Sequence, residues 1–190
     1  FFAIDSSSGQ LSVALAAVNY EQSSWYDLGV RATDPNGLLA DTVVRVLVTD
    51  MNDSPTFPDA SRIVNENAFA TTAVGGVLVV QDEDSLQTHS FAITTGNDAA
   101  IFTVDTASGQ LSVDRYELSV DPDTGVVTSV LDFESTTQYV LTVTATDHGQ
   151  PATPALLTDT ATVTIDVINV NEAPVVLAAQ AASLAEDSAA

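Results

Sequence analysis

Apolar and polar side chains alternate along most of this chain with a period of two residues. Leu28, Val30 and Ala32, for example, are separated by Gly29 and Arg31. Runs of this kind occur at residues 28–33, 44–48, 140–145 and 161–167. They are rich in β-branched residues, which is typical of strands that bury one face. Turn signals such as Ser-Gly and Pro-Asn-Gly separate the runs, and no segment shows an amphipathic helical stripe with caps. The pattern therefore predicts an all-β fold.

Short motifs recur along the chain at long range. The segment Arg31-Ala32-Thr33-Asp34 returns 113 residues later as Thr144-Ala145-Thr146-Asp147, and residues 50–55 return 119 residues later as residues 169–174. A period of about 110–120 residues has the size of a self-contained domain. We predict the end of one repeat in residues 1–53, a complete repeat in 54–172 and the start of a third in 173–190.

One segment interrupts the second copy. Gly9 precedes Glu21 by 12 residues, whereas Gly109 precedes Glu134 by 25 residues. Residues 118–125 are similar to the preceding hairpin sequence, so we predict an inserted or duplicated hairpin near 112–130. Short strands at regular spacing, separated by turns, favour tandem Greek-key β-sandwiches of the immunoglobulin-like kind, arranged as a rod-like array.

The charge of the chain excludes several classes of partner. The 190 residues contain 26 acidic side chains against four arginines, which gives a formal net charge of -22. Because nucleic acids and anionic lipids are polyanions, we expect neither to bind. The longest apolar run is too short to span a bilayer, so membrane attachment is expected only through segments outside this chain. Cysteine is absent, and disulfides are therefore excluded.

Many of the acidic residues concentrate at predicted strand ends, beside Pro, Gly and Asn. We expect the ends of neighbouring repeats to meet there. The first such junction contains six carboxylates and two amides: Glu21, Asp50, Asp53, Asp82, Asp84, Asp147, Asn19 and Asn52. Like charges this close repel unless cations neutralise them. Calcium binds six to eight oxygens from carboxylates, amides and carbonyls, so the junction is a candidate calcium site.

Several of these segments resemble the calcium motifs of cadherin repeats, and the resemblance covers essentially the whole chain. The motifs are Asp50-x-Asn52-Asp53-x-Pro55-x-Phe57, Asp82-x-Asp84, Leu131-Asp132-Phe133-Glu134 and Ala145-x-Asp147-x-Gly149. The resemblance implies a seven-stranded sandwich for each repeat and three calcium ions at each junction. Asn19 and Asn169 stand where the family has aspartate, and the segment after Asp84 departs from the family pattern.

The resemblance also implies ligands at other junctions. A second junction, incomplete in this chain, draws on Glu66, Asp132, Glu134, Asn169, Asn171 and Glu172. Asp34 is expected to serve a junction upstream, and Glu186 one downstream. The competing interpretation is that these acids are ordinary solvated turn residues. Asn52-Asp53-Ser54 is also formally a glycosylation sequon.

The expected function is that of a calcium-dependent structural or adhesion module outside the cell or at its surface. Calcium would rigidify the junctions, neighbouring repeats of the same chain would share ligands, and a homophilic or heterophilic protein would be the partner. We expect no enzymatic activity, because no motif ties His148 to a nucleophile. Two alternatives stay open: a subunit of an extracellular filament or surface layer, and spacer repeats in a larger secreted enzyme. The short linkers are similar to those of microbial cadherin-like repeats.

Overall fold

The computed structural model describes residues 1–14, 18–85, 87–115, 118–120, 127–149 and 156–172. These residues form twelve β-strands and no α-helix, which confirms the all-β prediction. No helix long and apolar enough to cross a membrane occurs within the described ranges. The chain divides into two compact units. Unit 1 comprises Phe1–Thr56, Gln81–Thr88 and Thr146–Thr158, and unit 2 comprises Phe57–Val80, His89–Ala145 and Asp159–Ala190.

Unit 1 contains two antiparallel strand pairs. Strands β1 (Phe2–Ile4) and β2 (Leu11–Val13) form a short hairpin, and β3 (Trp25–Thr33) pairs with β4 (Leu39–Leu47) over nine residues. The inward side chains of β3 and β4 alternate with outward ones, as the sequence pattern predicts. Tyr26 faces inward, and its ring centroid lies 5.2 Å from that of Phe2.

The turn between β1 and β2 has the same residues at its key positions as the turn between Asp105 and Gly109. Asp5 accepts hydrogen bonds from the backbone and hydroxyl groups of Ser7 and Ser8, and these bonds hold the pKa of Asp5 well below its usual range. Gly9 follows with a φ of 74°, which favours glycine. Asp105 and Gly109 repeat this turn in unit 2.

A four-stranded sheet forms the main layer of unit 2. Its order is β5 (Ala60–Asn65), β12 (Thr158–Ile168), β11 (Gln138–Asp147) and β6 (His89–Thr95). Strands β5 and β12 run parallel, in register from Ala60 opposite Val163 to Asn65 opposite Ile168. The ends of β11 and β12, at Asp147 and Thr158, belong to unit 1.

Two hairpins accompany this sheet. Strand β7 (Phe102–Val104) pairs with β8 (Leu111–Val113), and β9 (Leu118–Val120) pairs with β10 (Val127–Ser129). The strands β9 and β10 lie within residues 112–130, where the sequence predicts an inserted hairpin. That insertion stays a prediction. The repeat boundaries at 53 and 172 stay predictions, and residues 173–190, with Glu186, lie outside the described residues.

The core of unit 2 is built from alternate residues of its strands. The fully buried side chains include Leu111, Leu131, Leu141, Val143, Val163 and Ile165. Burying a side chain of this size contributes about 1.5–3 kcal/mol, which is how such a sandwich is stabilised without disulfides.

Candidate metal centre

An acidic cluster lies in unit 1, where turns and strand ends meet. We call it the first cluster. It contains Glu21, Asp50, Asp53, Asp82, Glu83, Asp84 and Asp147 together with Asn19, Asn52 and Gln87. Asn19 and Glu21 lie in a turn before β3, and residues 50–53 follow β4. Residues 82–84 follow a bridge between Thr56 and Gln81.

Two groups of three carboxylates in this cluster are close enough to share an ion. Oxygens of Glu21, Asp50 and Asp84 lie within 4.8 Å of one another, and so do oxygens of Glu21, Asp53 and Glu83. Calcium–oxygen distances are about 2.3–2.6 Å, so ligand oxygens on one ion lie up to about 5 Å apart. Glu21 belongs to both groups, and the geometry therefore suits two ions bridged by one carboxylate.

Backbone and amide donors hold the cluster in place. The backbone N–H of Asp53 donates to Asp84 Oδ2 at 2.8 Å, and that of Asp84 donates to Asp82 Oδ1 at 3.0 Å. Asn52 Nδ2 donates to Asp147 Oδ2 at 3.0 Å, and Gln87 Nε2 donates to Asn52 Oδ1. These bonds orient the carboxylates, but their donors are neutral and do not compensate the negative charge.

Asp147 is the most enclosed member of the first cluster. Its residue is fully buried, and its Oδ1 accepts from the N–H groups of Gly149 and Leu157 at 3.3 and 3.0 Å. Hydrogen bonds of this kind stabilise a buried carboxylate in one orientation. Asp147 therefore closes the end of β11 and presents its second oxygen to Asn52.

The carboxylates of the first cluster repel one another, and a cation would stabilise them. Partial desolvation raises the pKa of Glu21, and the charges of Asp53, Asp50 and Asp84 raise it further. Burial likewise raises the pKa of Asp53, with contributions from Asp84 and Glu83. Since like charges cause part of both shifts, a cation at this position would relieve the repulsion.

Two oxygens at this site have no hydrogen-bond donor. Asp50 Oδ1 and Gln87 Oε1 are buried, and neither accepts a hydrogen bond from the described residues. An unsatisfied buried acceptor costs free energy, and a charged one costs more. The donor set is made only of oxygens, which fits a hard cation such as calcium and not a soft transition metal.

A second cluster lies in unit 2 and is built around Glu66. Oxygens of Glu66, Asp132 and Glu134 lie within 4.8 Å of one another. Glu66 is only 3% exposed, and its two oxygens accept from the N–H groups of Phe133 at 2.9 Å and Val170 at 2.6 Å. The backbone N–H of Glu134 donates to Asp132 Oδ1 at 3.0 Å.

Amides accompany the second cluster too. Asn169 Nδ2 donates to Glu134 Oε1 at 2.9 Å, and Asn67 Nδ2 donates to Glu172 Oε1 at 2.7 Å. Asn171 is exposed. Of the six residues expected at the second junction, the structure brings Glu66, Asp132, Glu134 and Asn169 together.

Asp34 stands apart from both clusters. Its Oδ1 accepts from the N–H groups of Asn36 and Leu38, both at 2.8 Å, and so closes the turn between β3 and β4. Asp147 closes the corresponding turn after β11 in the same way. No other acidic residue joins Asp34 in a three-carboxylate group within the described ranges, and its role at an upstream junction stays a prediction.

Three residues of the clusters escaped the sequence interpretation. In an extended segment, alternate residues lie on opposite sides, which would direct Glu83 away from Asp82 and Asp84. The hydrogen bond from Asp84 N to Asp82 Oδ1 turns the segment instead, and Glu83 joins Glu21 and Asp53. The Asp-x-Asp spacing was itself a signal for such a turn. For Gln87 and Asn67 the sequence carried no signal.

Comparison with known proteins identifies the family. Residues 61–168 match the family model described as Cadherin domain. The chain belongs to the cadherin family. Cadherins and protocadherins are adhesion proteins and not enzymes, in agreement with the expectation from the sequence.

Curated cadherin relatives are much longer than this chain. Human Protocadherin Fat 1 is 34% identical over 181 residues, which cover 92% of this chain and 4% of the relative. The protocadherin-like wing polarity protein stan of Drosophila melanogaster is 36% identical over 177 residues, which cover 90% of this chain and 5% of the relative. The chain thus spans about one twentieth of these two proteins.

Solved cadherin ectodomains share the fold. Human Protocadherin-24 EC1-2 superposes with a TM-score of 0.67 at 22% identity, covering 90% of this chain and 78% of that one. Drosophila N-cadherin EC1-4 gives a TM-score of 0.65 at 21% identity, covering 88% and 39%. These similarities confirm the prediction of Greek-key β-sandwich repeats.

Proposed function

We propose that this chain is a calcium-dependent structural and adhesion module located outside the cell or at its surface. The observation that carries the proposal is the sharing of Glu21 between two carboxylate groups in unit 1. Calcium at the first cluster would fix the segment 50–55 against residues 82–84 and the end of β11. That segment lies between the predicted repeats, so calcium would stiffen the array at this point.

The residues proposed to hold calcium follow from the geometry. Glu21, Asp50 and Asp84 would bind one ion, and Glu21, Asp53 and Glu83 a second. Asp82, Asp147 and Asn52 would orient these ligands, because their hydrogen bonds run to Asp84 and to one another. The free Asp50 Oδ1 supports the proposal, since a cation would satisfy it. Asn19 would contribute indirectly, because its amide holds Glu83 at 2.6 Å.

The second cluster is proposed as a weaker site. Glu66, Asp132 and Glu134 offer three carboxylates, but both oxygens of Glu66 already accept backbone hydrogen bonds. Extracellular calcium modules bind with dissociation constants of about 0.1–1 mM, and a site with few free oxygens belongs at the weak end of that range. Partners of the module would be neighbouring repeats and a homophilic or heterophilic protein.

Limited proteolysis tests the stiffening directly. With calcium, the segment 50–55 should resist cleavage, whereas with chelator it should be cut many times faster, because the repelling carboxylates would open the cluster. The Glu21→Gln variant should be cut quickly in both conditions. Equal rates of cleavage at 50–55 for the native chain with calcium and with chelator would disprove the proposal.

A further inference from the structure

The outward face of the β3–β4 pair combines exposed apolar side chains with paired acids and arginines. We call it the outer face. It consists of Trp25, Asp27, Gly29, Arg31 and Thr33 on β3, opposite Leu47, Arg45, Val43, Asp41 and Leu39 on β4, in that order. Its four large apolar side chains are well exposed: Trp25 at 47%, Leu39 at 59%, Val43 at 67% and Leu47 at 73%. Exposed aromatic and aliphatic side chains grouped with arginine are typical of protein interfaces.

The outer face is electrically neutral within a strongly acidic chain. Arg45 binds Asp27 through two hydrogen bonds of 2.7 Å, and Arg31 binds Asp41 at 2.7 and 2.9 Å. Arg45 also lies over the ring of Trp25, with its guanidinium carbon 4.3 Å from the centroid. Two of the four arginines of the chain therefore lie on this face. A second copy with a charge of -22 would meet less repulsion here than at the acidic clusters.

The corresponding face of unit 2 is different. Its outward side chains on β11 and β12 are mostly threonines: Thr142, Thr144, Thr160, Thr162 and Thr164. Thr95 donates to Thr142 across that surface at 2.7 Å, and Val140 is its exposed apolar side chain on β11. Two equivalent strand pairs thus carry a hydroxyl surface in one unit and a surface of Trp, Val, Leu and ion pairs in the other.

We propose that the outer face of unit 1 binds the outer face of a second copy of this chain. The two sheets would stack about a two-fold axis that runs parallel to the strands. Each β3 then lies over β4 of the other copy. Interfaces with two-fold symmetry require a surface that is complementary to itself. The proposal does not depend on calcium at the first cluster.

The charges on the outer face are complementary to themselves. An acid and a base alternate along each strand and also across the pair, as on a checkerboard. Stacking about the proposed axis places Asp27 over Arg45 of the second copy and Arg31 over its Asp41. Every charged side chain on the face therefore lies between two opposite charges. Complementarity of this kind fixes the orientation of a complex more than it raises the affinity.

The shape of the outer face is also complementary to itself. A side chain at Gly29 would find nothing within 4 Å, so the centre of β3 is a hollow beside the protruding Val43. An open hollow of about 390 Å³ is lined by Gly29, Val43 and their charged neighbours. The proposed axis places Val43 of each copy over Gly29 of the other and Trp25 over Leu47. A two-fold axis across the strands would instead place Val43 on Val43 and leave the hollow empty.

The size of the face predicts a weak dimer. A strand of nine residues is about 30 Å long, and two strands are about 10 Å wide, so each copy would bury roughly 300 Å². The total of about 600 Å² is below the size of stable interfaces, which corresponds to weak and transient contact. We expect a dissociation constant on the order of 100 µM. Contacts this weak are effective when many repeats or molecules are aligned.

Sedimentation velocity of the whole chain, up to about 500 µM, tests the proposal. The native chain should associate with increasing concentration, both with calcium and with chelator. Val43→Asp places an acid at the centre of the face and should make the chain monomeric. Val140→Asp, the same change on the threonine face, should leave the association intact. Gly29→Val fits the monomer, because the space is open, but it fills the hollow and should reduce the affinity at least tenfold.

Complementary charge variants test that the outer faces contact each other, and they guard against misfolding. Asp27→Arg with Asp41→Arg makes the face entirely basic, and Arg31→Asp with Arg45→Asp makes it entirely acidic. Each variant alone should be monomeric, whereas a 1:1 mixture should associate at least as strongly as the native chain. Circular dichroism should show all variants folded, since exposed ion pairs contribute little to stability. A native chain that stays monomeric, a Val43→Asp or Gly29→Val variant that associates normally, or a mixture that does not associate would overturn the proposal.

Discussion

Each unit carries one acidic cluster, and the two clusters use their carboxylates differently. In the second cluster, Glu66 is buried and both of its oxygens accept backbone hydrogen bonds, so it joins Phe133 to Val170. In the first cluster, Glu21 is exposed and belongs to both groups of carboxylates, while Asp50 Oδ1 accepts no hydrogen bond from the described residues. One central glutamate is therefore part of the fold, and the other is available to a ligand.

This difference indicates that a carboxylate in an acidic motif can serve the fold through backbone hydrogen bonds as well as a cation. A carboxylate that accepts two backbone N–H groups lowers the free energy of the folded chain by itself. A carboxylate surrounded by other carboxylates raises that free energy until a cation binds. The predictions below test this contrast, beginning with the substitution of the central glutamate of each cluster.

The largest effect is expected from removing Glu66. Glu66→Ala leaves the buried N–H groups of Phe133 and Val170 without an acceptor, which should cost about 3 kcal/mol of unfolding free energy in chelator. Urea denaturation measures the loss, and hydrogen exchange at these two amides should accelerate. Glu21→Ala is the matched control and should not destabilise the chain in chelator. A loss below about 1 kcal/mol for Glu66→Ala would contradict the structural role.

The next effect concerns calcium at the first cluster. Glu21→Gln removes one charge from both carboxylate groups and should weaken calcium binding there at least tenfold. Isothermal titration calorimetry with the native chain and the variant measures the change. Glu134→Gln, which alters only the second cluster, should leave the tighter binding events unaffected. If both variants changed the same binding event, the two clusters would not be separate sites.

The sequence alone predicted most of the acidic residues that lie together in each cluster, but not the different roles of Glu21 and Glu66. The Asp and Glu motifs identified which segments come together, because strand ends and turns are visible in the alternation of side chains. The sequence could not show that Phe133 and Val170 point their N–H groups at Glu66, since this depends on how segments 67 and 104 residues apart are placed against each other. It also missed Glu83, because a local hydrogen bond turns a segment that was expected to be extended.

A smaller effect is expected from pH. Desolvation and neighbouring acids raise the pKa of Glu21 and Asp53. Protons therefore compete with calcium for the first cluster as the pH falls from 7 toward the ordinary carboxyl range near 4. Calcium affinity should therefore decrease over this interval. In chelator the sign reverses. A raised folded-state pKa contributes stability at low pH that is lost as the pH rises through that pKa, so these two groups should favour the folded chain more at pH 5 than at pH 7.

Calcium titrations at several pH values and thermal melts in chelator measure both parts of this expectation. Glu21→Gln is the control, because it removes one of the two groups and should reduce both dependences on pH. A calcium affinity of the native chain that stays constant between pH 7 and pH 5 would contradict the role of these carboxylates.

The smallest effect is expected at the asparagines that stand where the family has aspartate. Asn19 donates to Glu83 at 2.6 Å, and Asn169 donates to Glu134 at 2.9 Å, so each amide lowers the repulsion in its cluster without a cation. Asn19→Asp replaces this attraction by repulsion and adds a carboxylate oxygen. It should raise calcium affinity a few-fold, about 0.5–1 kcal/mol, and slightly destabilise the chain in chelator. Asn169→Asp should do the same at the second cluster. Because Glu66 is already held by two backbone donors, Asn169→Asp should raise calcium affinity less than Asn19→Asp does. Calorimetry on the two variants tests this order.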